Sequence, residues 1–152
     1  MIIVADTSAV LALLDADDRH HVELRSVWEE NPSAWVLPWA VLPEIDYLAR
    51  RYLGARAARL LMRDIATGGL TVEHGEPADI RRATHLDEKY ADLDLGLVDG
   101  VVAAVAERLG AAAIATLDVR HFGAITIDGN PRLLPRDLAD ATLRDHRRLE
   151  NP

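Results

Sequence analysis

Ile2-Ile3-Val4-Ala5-Asp6-Thr7-Ser8 is the stretch whose reading decides the fold. Its apolar run is short, continuous and mostly β-branched, which suits a strand buried on both faces better than an amphipathic helix. The run stops at Asp6-Thr7-Ser8, residue types that cap a helix start. A both-faces-buried strand followed at once by a helix is the opening of a parallel α/β unit. In open sheets of that kind, ligands sit beyond the carboxyl ends of the strands, where Asp6 falls.

The same alternation continues outward from this stretch. Residues 8–15 read as apolar helix, and 18–31 place Val22, Leu24, Val27 and Trp28 on one helical face before Asn31-Pro32 ends it. A second strand is expected at 35–37. A helix over 39–53 follows, with Pro43 either bending it or lying in its first turn, and after Gly54 another spans 55–67. A third strand is read at 70–73 and helices at 76–90 and 97–109. A fourth strand is read at 112–116, a fifth at 124–127, a turn at 129–131 and a polar terminal helix at 135–149. Parallel strands require crossover connections, so this order predicts a three-layer α/β/α fold with a central, mainly parallel sheet of about five strands. One domain covering 1–152 is expected, in keeping with a length of 152 residues.

Composition narrows the function classes. Apolar residues make up 49% and charged residues 28%, a balance that excludes disorder and collagen. The longest apolar stretches, 2–5 and 111–115, fall far short of the ~20 residues of a membrane helix. The opening lacks the basic region of a secretory signal, so a cytoplasmic location is expected. Zero cysteines remove disulfides, thiolate metal sites and cysteine nucleophiles. A net charge of −8 argues against tight, non-specific nucleic-acid binding by the whole surface, yet it suits an enzyme that clusters carboxylates around metal ions.

Four acids occupy informative positions. Asp6 follows strand one, Glu44 lies one helical turn beyond strand two, and Asp118 comes just after strand four. Asp99 sits in the first turn of an apolar helix, flanked by Val98, Gly100, Val101 and Val102, where an unpaired charge is costly unless it faces a polar pocket. If they converge, these oxygens suit Mg²⁺ or Mn²⁺, which offsets their repulsion and lowers the pKa of a bound water, making phosphodiester hydrolysis feasible. Ordinary roles stand beside this reading: Asp6 as a helix cap, Glu44 as a solvated first-turn acid and Asp118 as a turn residue. The six histidines show no paired metal-ligand spacing and are expected mostly on the surface, without a catalytic role. Trp28, Trp35, Trp39, Tyr47 and Tyr52 are expected in the core, with lining of a groove as the alternative. No phosphate-binding loop, dinucleotide fingerprint or serine elbow is present.

Together, "VADTSAVLALLDADD", the distant Glu44 and "LGLVDGVVAAVAERLGAAAIATLDVRHF" resemble the PIN-domain ribonucleases, especially the VapC-type toxins of type II toxin–antitoxin pairs. The resemblance spans nearly the whole chain. It implies that Asp6, Glu44, Asp99 and Asp118 match the family's acidic quartet, which binds Mg²⁺ or Mn²⁺ and cuts single-stranded regions of folded RNA, with Ser8 and Thr116 in support. Asp6 and Asp99 would hold the primary metal, while Glu44 and Asp118 would complete the site or recruit a second ion. It further implies a homodimer and a VapB-like antitoxin held in a hydrophobic groove, for which the helices between Trp39 and Ile65 are the candidates. Gly100 departs from the family's alanine or other small residue. Glycine within a helix costs roughly 1 kcal/mol relative to alanine, so a slightly looser helix around Asp99 is expected. Arg50, Arg51, Arg56, Arg59 and Arg63 are candidates for meeting an RNA backbone, with a solvated face as the alternative. Two other functions remain open: a binding or regulatory module acting with an antitoxin, and a haloacid-dehalogenase-like phosphatase. The latter lacks its second aspartate, because Ser8 stands there.

Overall fold

Ile3, Val4 and Ala5 are buried without exception and form β1 (Ile3–Ala5) at the centre of the computed structural model, which describes residues 1–138. β1 pairs in parallel with β2 (Trp35–Pro38) on one side and β4 (Ala113–Ala115) on the other; Ile3 stands opposite both Trp35 and Ala113. β3 (Thr71–Glu73) extends the sheet from β2, and β5 (Arg132–Leu134) extends it from β4. All pairings are parallel, and the strand order is β3-β2-β1-β4-β5. β1, β2 and β4 are buried on both faces, whereas the edge strand β3 is partly exposed.

Each parallel pairing needs a crossover. α1 (Thr7–Leu14) and α2 (His21–Glu30) connect β1 to β2, and α3 (Leu42–Tyr52) and α4 (Ala55–Ala66) connect β2 to β3. α5 (Pro77–Lys89) and α6 (Gly96–Arg108) then carry the chain back to β4 on the far side of β1. Right-handed crossovers in opposite directions put the first four helices on one face and α5 and α6 on the other. The packing agrees: α1 lies against α2 and α3, α3 against α4, and α6 against α5, β1 and β2. The reversal between β1 and β4 opens a crevice at their carboxyl ends.

The helices follow local chemistry. Asp6 caps α1 through the Thr7 amide, and Pro43 falls in the first turn of α3 after a 3-10 turn (Trp39–Val41), one of the two placements its position allowed. Glu76 and Asp79 form a reciprocal capping box at the start of α5. α6 buries every residue from Gly100 through Ala106, because it is enclosed between the sheet and α5. Gly100 makes that enclosure possible. A Cβ there would lie 2.8 Å from the Ala83 Cβ and 3.1 Å from the Ala83 carbonyl oxygen, so the glycine sets how closely α5 approaches.

Three expectations are corrected. The fifth strand is Arg132–Leu134, not residues 124–127. Ile125 and Ile127 are buried and alternate with exposed neighbours, which imitates a strand. A parallel neighbour, however, needs a crossover of roughly a dozen residues or more; the path from Ala115 to Ala124 is too short, and the path to Arg132 is long enough. The short helix α7 (Val119–Phe122) was not foreseen either. Tyr47 and Tyr52 are 61% and 69% exposed, contrary to a core placement, because they lie away from the Ile45–Ala49 face that α3 buries. Trp35 is buried as expected, with Trp28 edge-on to it at 5.6 Å, and Trp39 packs against the core. Of the helix expected at 135–149, residues 135–137 form a turn and those from 139 onward lie outside the described residues. Among the described residues, no helix is long and apolar enough to cross a membrane.

Candidate active site

The site is assembled from the first residues beyond β1 and β4. The Asp6 amide donates to the Ala115 carbonyl at 2.9 Å, continuing the β1–β4 ladder one step past the end of β1. This places Asp6, only 4% exposed, beside Thr116, which is fully buried. Asp6 Oδ1 accepts the Thr7 amide at 2.6 Å, and Oδ2 accepts the hydroxyls of Thr116 at 2.9 Å and Ser8 at 3.0 Å. The Leu117 amide donates to Ser8 Oγ and the Asp118 amide to Thr116 Oγ1. Ser8 and Thr116 thus tie the loop after β4 to the carboxylate after β1, the supporting position expected for both.

Asp118 caps α7 by accepting the His121 amide at 3.0 Å. That single turn brings the His121 ring back over the cap. Its Nδ1 lies 3.0 Å from Asp118 Oδ2 and 2.6 Å from Asp99 Oδ2. Asp99 projects from the first turn of α6, and its side chain is 16% exposed, like that of His121. One ligand atom from each of Asp99, Asp118 and His121 lies within 4.8 Å of the others, so the three can hold one metal ion.

Electrostatics link the remaining acids. Burial pushes the Asp6 carboxyl above the ordinary carboxylate value against three hydrogen bonds, and the Glu44 carboxylate adds to the rise. Burial likewise pushes Asp99 up to about 6; Asp6 and Asp118 raise it further while the His121 hydrogen bond opposes them. Glu44 itself is exposed in the first turn of α3. All four expected acids are therefore within reach of one another's charge, in a chain from Glu44 through Asp6 and Asp99 to Asp118. Among the described residues, no arginine or lysine forms an ion pair with any of them; His121 is the one basic partner.

This arrangement has an excess of negative charge and a set of hard oxygen donors, which fits a divalent cation. Asp6 and Asp99 resist ionisation while that charge is unbalanced, and a divalent cation held by these residues would reverse the preference. His121 is the residue that reasoning from sequence missed. No histidine pair or spacing advertised it; the available signal was its position three residues after a helix-capping aspartate, which turns a side chain back onto the cap. Asp94 is exposed in a left-handed conformation ahead of α6.

Comparisons with known proteins follow the same lines. Residues 3–126 match the PIN domain family. Ribonuclease VapC26 of Mycobacterium tuberculosis (strain ATCC 25618 / H37Rv) is 32% identical over 129 residues, covering 85% of this chain and 96% of the relative. The crystal structure of VapC20 of Mycobacterium tuberculosis, described as a Sarcin-Ricin loop cleaving toxin, superposes with a TM-score of 0.72 at 24% identity. That match covers 83% of this chain and 97% of the other. The DNA-bound VapBC complex of Salmonella typhimurium gives a TM-score of 0.66 at 18% identity, covering 88% and 96% of the two chains.

Proposed function

The chain belongs to the PIN-domain family, and from that premise we propose that it is a metal-dependent endoribonuclease of the toxin–antitoxin type. It would act in the cytoplasm as a single PIN domain and hydrolyse phosphodiesters in the loops of structured RNA (tRNA, rRNA or mRNA). The observation that carries this reading is the coupling of Asp6 to Glu44 and Asp99, and of Asp99 to Asp118, in the crevice between β1 and β4.

Asp6 and Asp99 would hold the primary Mg²⁺ or Mn²⁺, with Glu44 and Asp118 completing the site or holding a second ion. Such a cation supplies a water of lowered pKa and charge stabilisation at the phosphoryl oxygens. The chain's own residues do the rest. Thr116 and Ser8 fix the orientation of the Asp6 carboxylate through its Oδ2. His121 holds Asp99 and Asp118 on a common centre and offers nitrogen as a further ligand atom. Glu44, exposed in the first turn of α3 and coupled by charge to Asp6, would orient a water.

A VapB-like antitoxin is the proposed partner, and a homodimer the proposed assembly. An apolar cavity of about 340 Å³ supports a groove that includes the second of the helices expected to form it: it lies between α1, α2 and α4, lined by Val10, Leu13, Trp28, Leu61 and Leu70.

The test is incubation of antitoxin-free protein with end-labelled total RNA, in Mg²⁺ or Mn²⁺ and in EDTA, beside an Asp6→Asn control. Discrete, metal-dependent cuts that the variant does not make are expected. Folded, metal-loaded protein that leaves the whole RNA pool intact overturns the reading in favour of a binding module.

A further inference from the structure

The hairpin of α3 and α4 runs against the charge of the whole chain. Net charge is −8, yet residues 50–63 contain Arg50, Arg51, Arg56, Arg59 and Arg63 and no acid. Arg50 is paired with Asp46 at 3.0 Å; Arg51 has no carboxylate partner among the described residues. Instead, Arg51 Nη1 donates to the Tyr47 hydroxyl at 3.4 Å, and its guanidinium lies 5.6 Å from the centre of the Tyr52 ring. Glu44, Tyr47 and Arg51 stand at i, i+3 and i+7, one stripe along the exposed side of α3 that starts at the acidic site and runs about 10 Å away from it.

Beside this stripe is a cleft of about 250 Å³ between α1 and the end of α3. Ser8, which bonds Asp6, lies at one side of it and Tyr52 with Leu53 at the other. This is below the roughly 300–1,000 Å³ of sites that engulf drug-sized ligands, a volume for one ring system. Its carboxylates are Asp15 and Asp18. Oδ1 of each accepts a local amide, from Asp17 and His20 respectively, which leaves Oδ2 of each as an acceptor. Carboxylate acceptors repel a phosphate and accept the ring and amino N–H groups of a base edge.

Resting on the nuclease reading, we propose that the exposed side of α3 and this cleft receive the single strand flanking the scissile phosphate. One unpaired base stacks on Tyr52 with its N–H edge toward Asp15 and Asp18, and Arg51 meets the adjoining phosphate. Single-stranded nucleic acid is bound this way elsewhere, by aromatic platforms and arginine planes. The unpaired arginine, the lone exposed tyrosines and their continuity with Asp6 through Ser8 favour RNA over a second copy of the chain as occupant.

The experiment is fluorescence anisotropy of a labelled, mixed-sequence 12-mer oligoribonucleotide with full-length protein in EDTA, where binding is read without cleavage. Tyr52→Ala is expected to weaken binding about 5- to 100-fold and Tyr52→Trp to restore it. Arg51→Ala is expected to lower the slope of log affinity against log salt by about 0.7, the loss of one phosphate contact on a single strand. Circular dichroism and melting temperature confirm that each variant folds. Wild-type protein that fails to bind the strand, or Tyr52 and Arg51 variants within twofold of wild type, overturn the proposal. Unchanged RNA affinity with a shifted monomer–dimer balance by light scattering assigns the face to a second copy and overturns it as well. The two readings fail separately. Metal-dependent cutting lost in Asp6→Asn, with neutral Tyr52 and Arg51 variants, leaves the nuclease and removes the surface; tyrosine-dependent binding without any cutting does the reverse.

Discussion

At the scale of single residues, the site is defined by how few of its contacts are replaceable. Thr116 is fully buried and donates to Asp6 while accepting from the Asp118 amide. Valine keeps its shape and removes both bonds. Thr116→Val is expected to weaken Mn²⁺ binding about 10- to 100-fold by isothermal titration, the usual effect of removing a hydrogen bond that orients a metal ligand; unchanged affinity would leave Thr116 a packing residue only. Asp99 carries a pH signature. Its folded pKa, about 6, stands above the ordinary carboxylate value near 4, so the folded state holds the proton more tightly than the unfolded one. The stabilisation this gives is fully present below pH ~4 and is lost as pH rises through ~6. In EDTA, wild type is expected to lose about 1 kcal/mol relative to Asp99→Asn between pH 4 and pH 7, a figure reduced for solvent screening. Urea melts of both proteins at the two pH values measure it, and parallel pH dependences would refute it.

Elements set the distances between those residues. α5 and α6 meet at Ala83 and Gly100, with no flexible side chain between them to give way. Gly100→Ala therefore opposes two effects: about 1 kcal/mol gained in helix propensity, and an overpacking cost of typically 1–3 kcal/mol from a methyl group that meets Ala83 and its backbone. The close contact is to Cβ and backbone atoms, so the second effect wins. A net loss of about 1 kcal/mol, read as a lowered melting temperature, is expected, with Ala83→Gly in the same chain recovering part of it. A stabilised Gly100→Ala protein would mean that the helices separate freely. The glycine was visible in sequence as a departure, but its meaning was not, because the partner it accommodates lies on another helix.

Across the whole molecule, the charge excess of the crevice links metal to fold. A cation that binds only the folded chain stabilises it by RT ln(1 + [L]/Kd), about 2.7 kcal/mol at 100 times Kd. Mn²⁺ or Mg²⁺ is accordingly expected to raise the melting temperature of wild type in proportion to log concentration, and to do so far less in Asp99→Asn. Equal shifts in both proteins would place the ion elsewhere. Sequence alone determined the alternation of strands and helices, the burial of β1, the placement of Asp6, Glu44, Asp99 and Asp118 at strand ends and helix starts, and the resemblance those motifs carry. Each of these is written in a local period, a cap or a short motif, and a local signal survives without knowledge of its neighbours. The tertiary structure decided the rest. It moved the fifth strand to Arg132–Leu134, since the length of a parallel crossover is a property of the sheet and not of the strand's own residues. It brought His121 between Asp99 and Asp118, and turned Tyr47 and Tyr52 outward, because which side chains share a space depends on how separate elements pack, and no periodicity within one element records that.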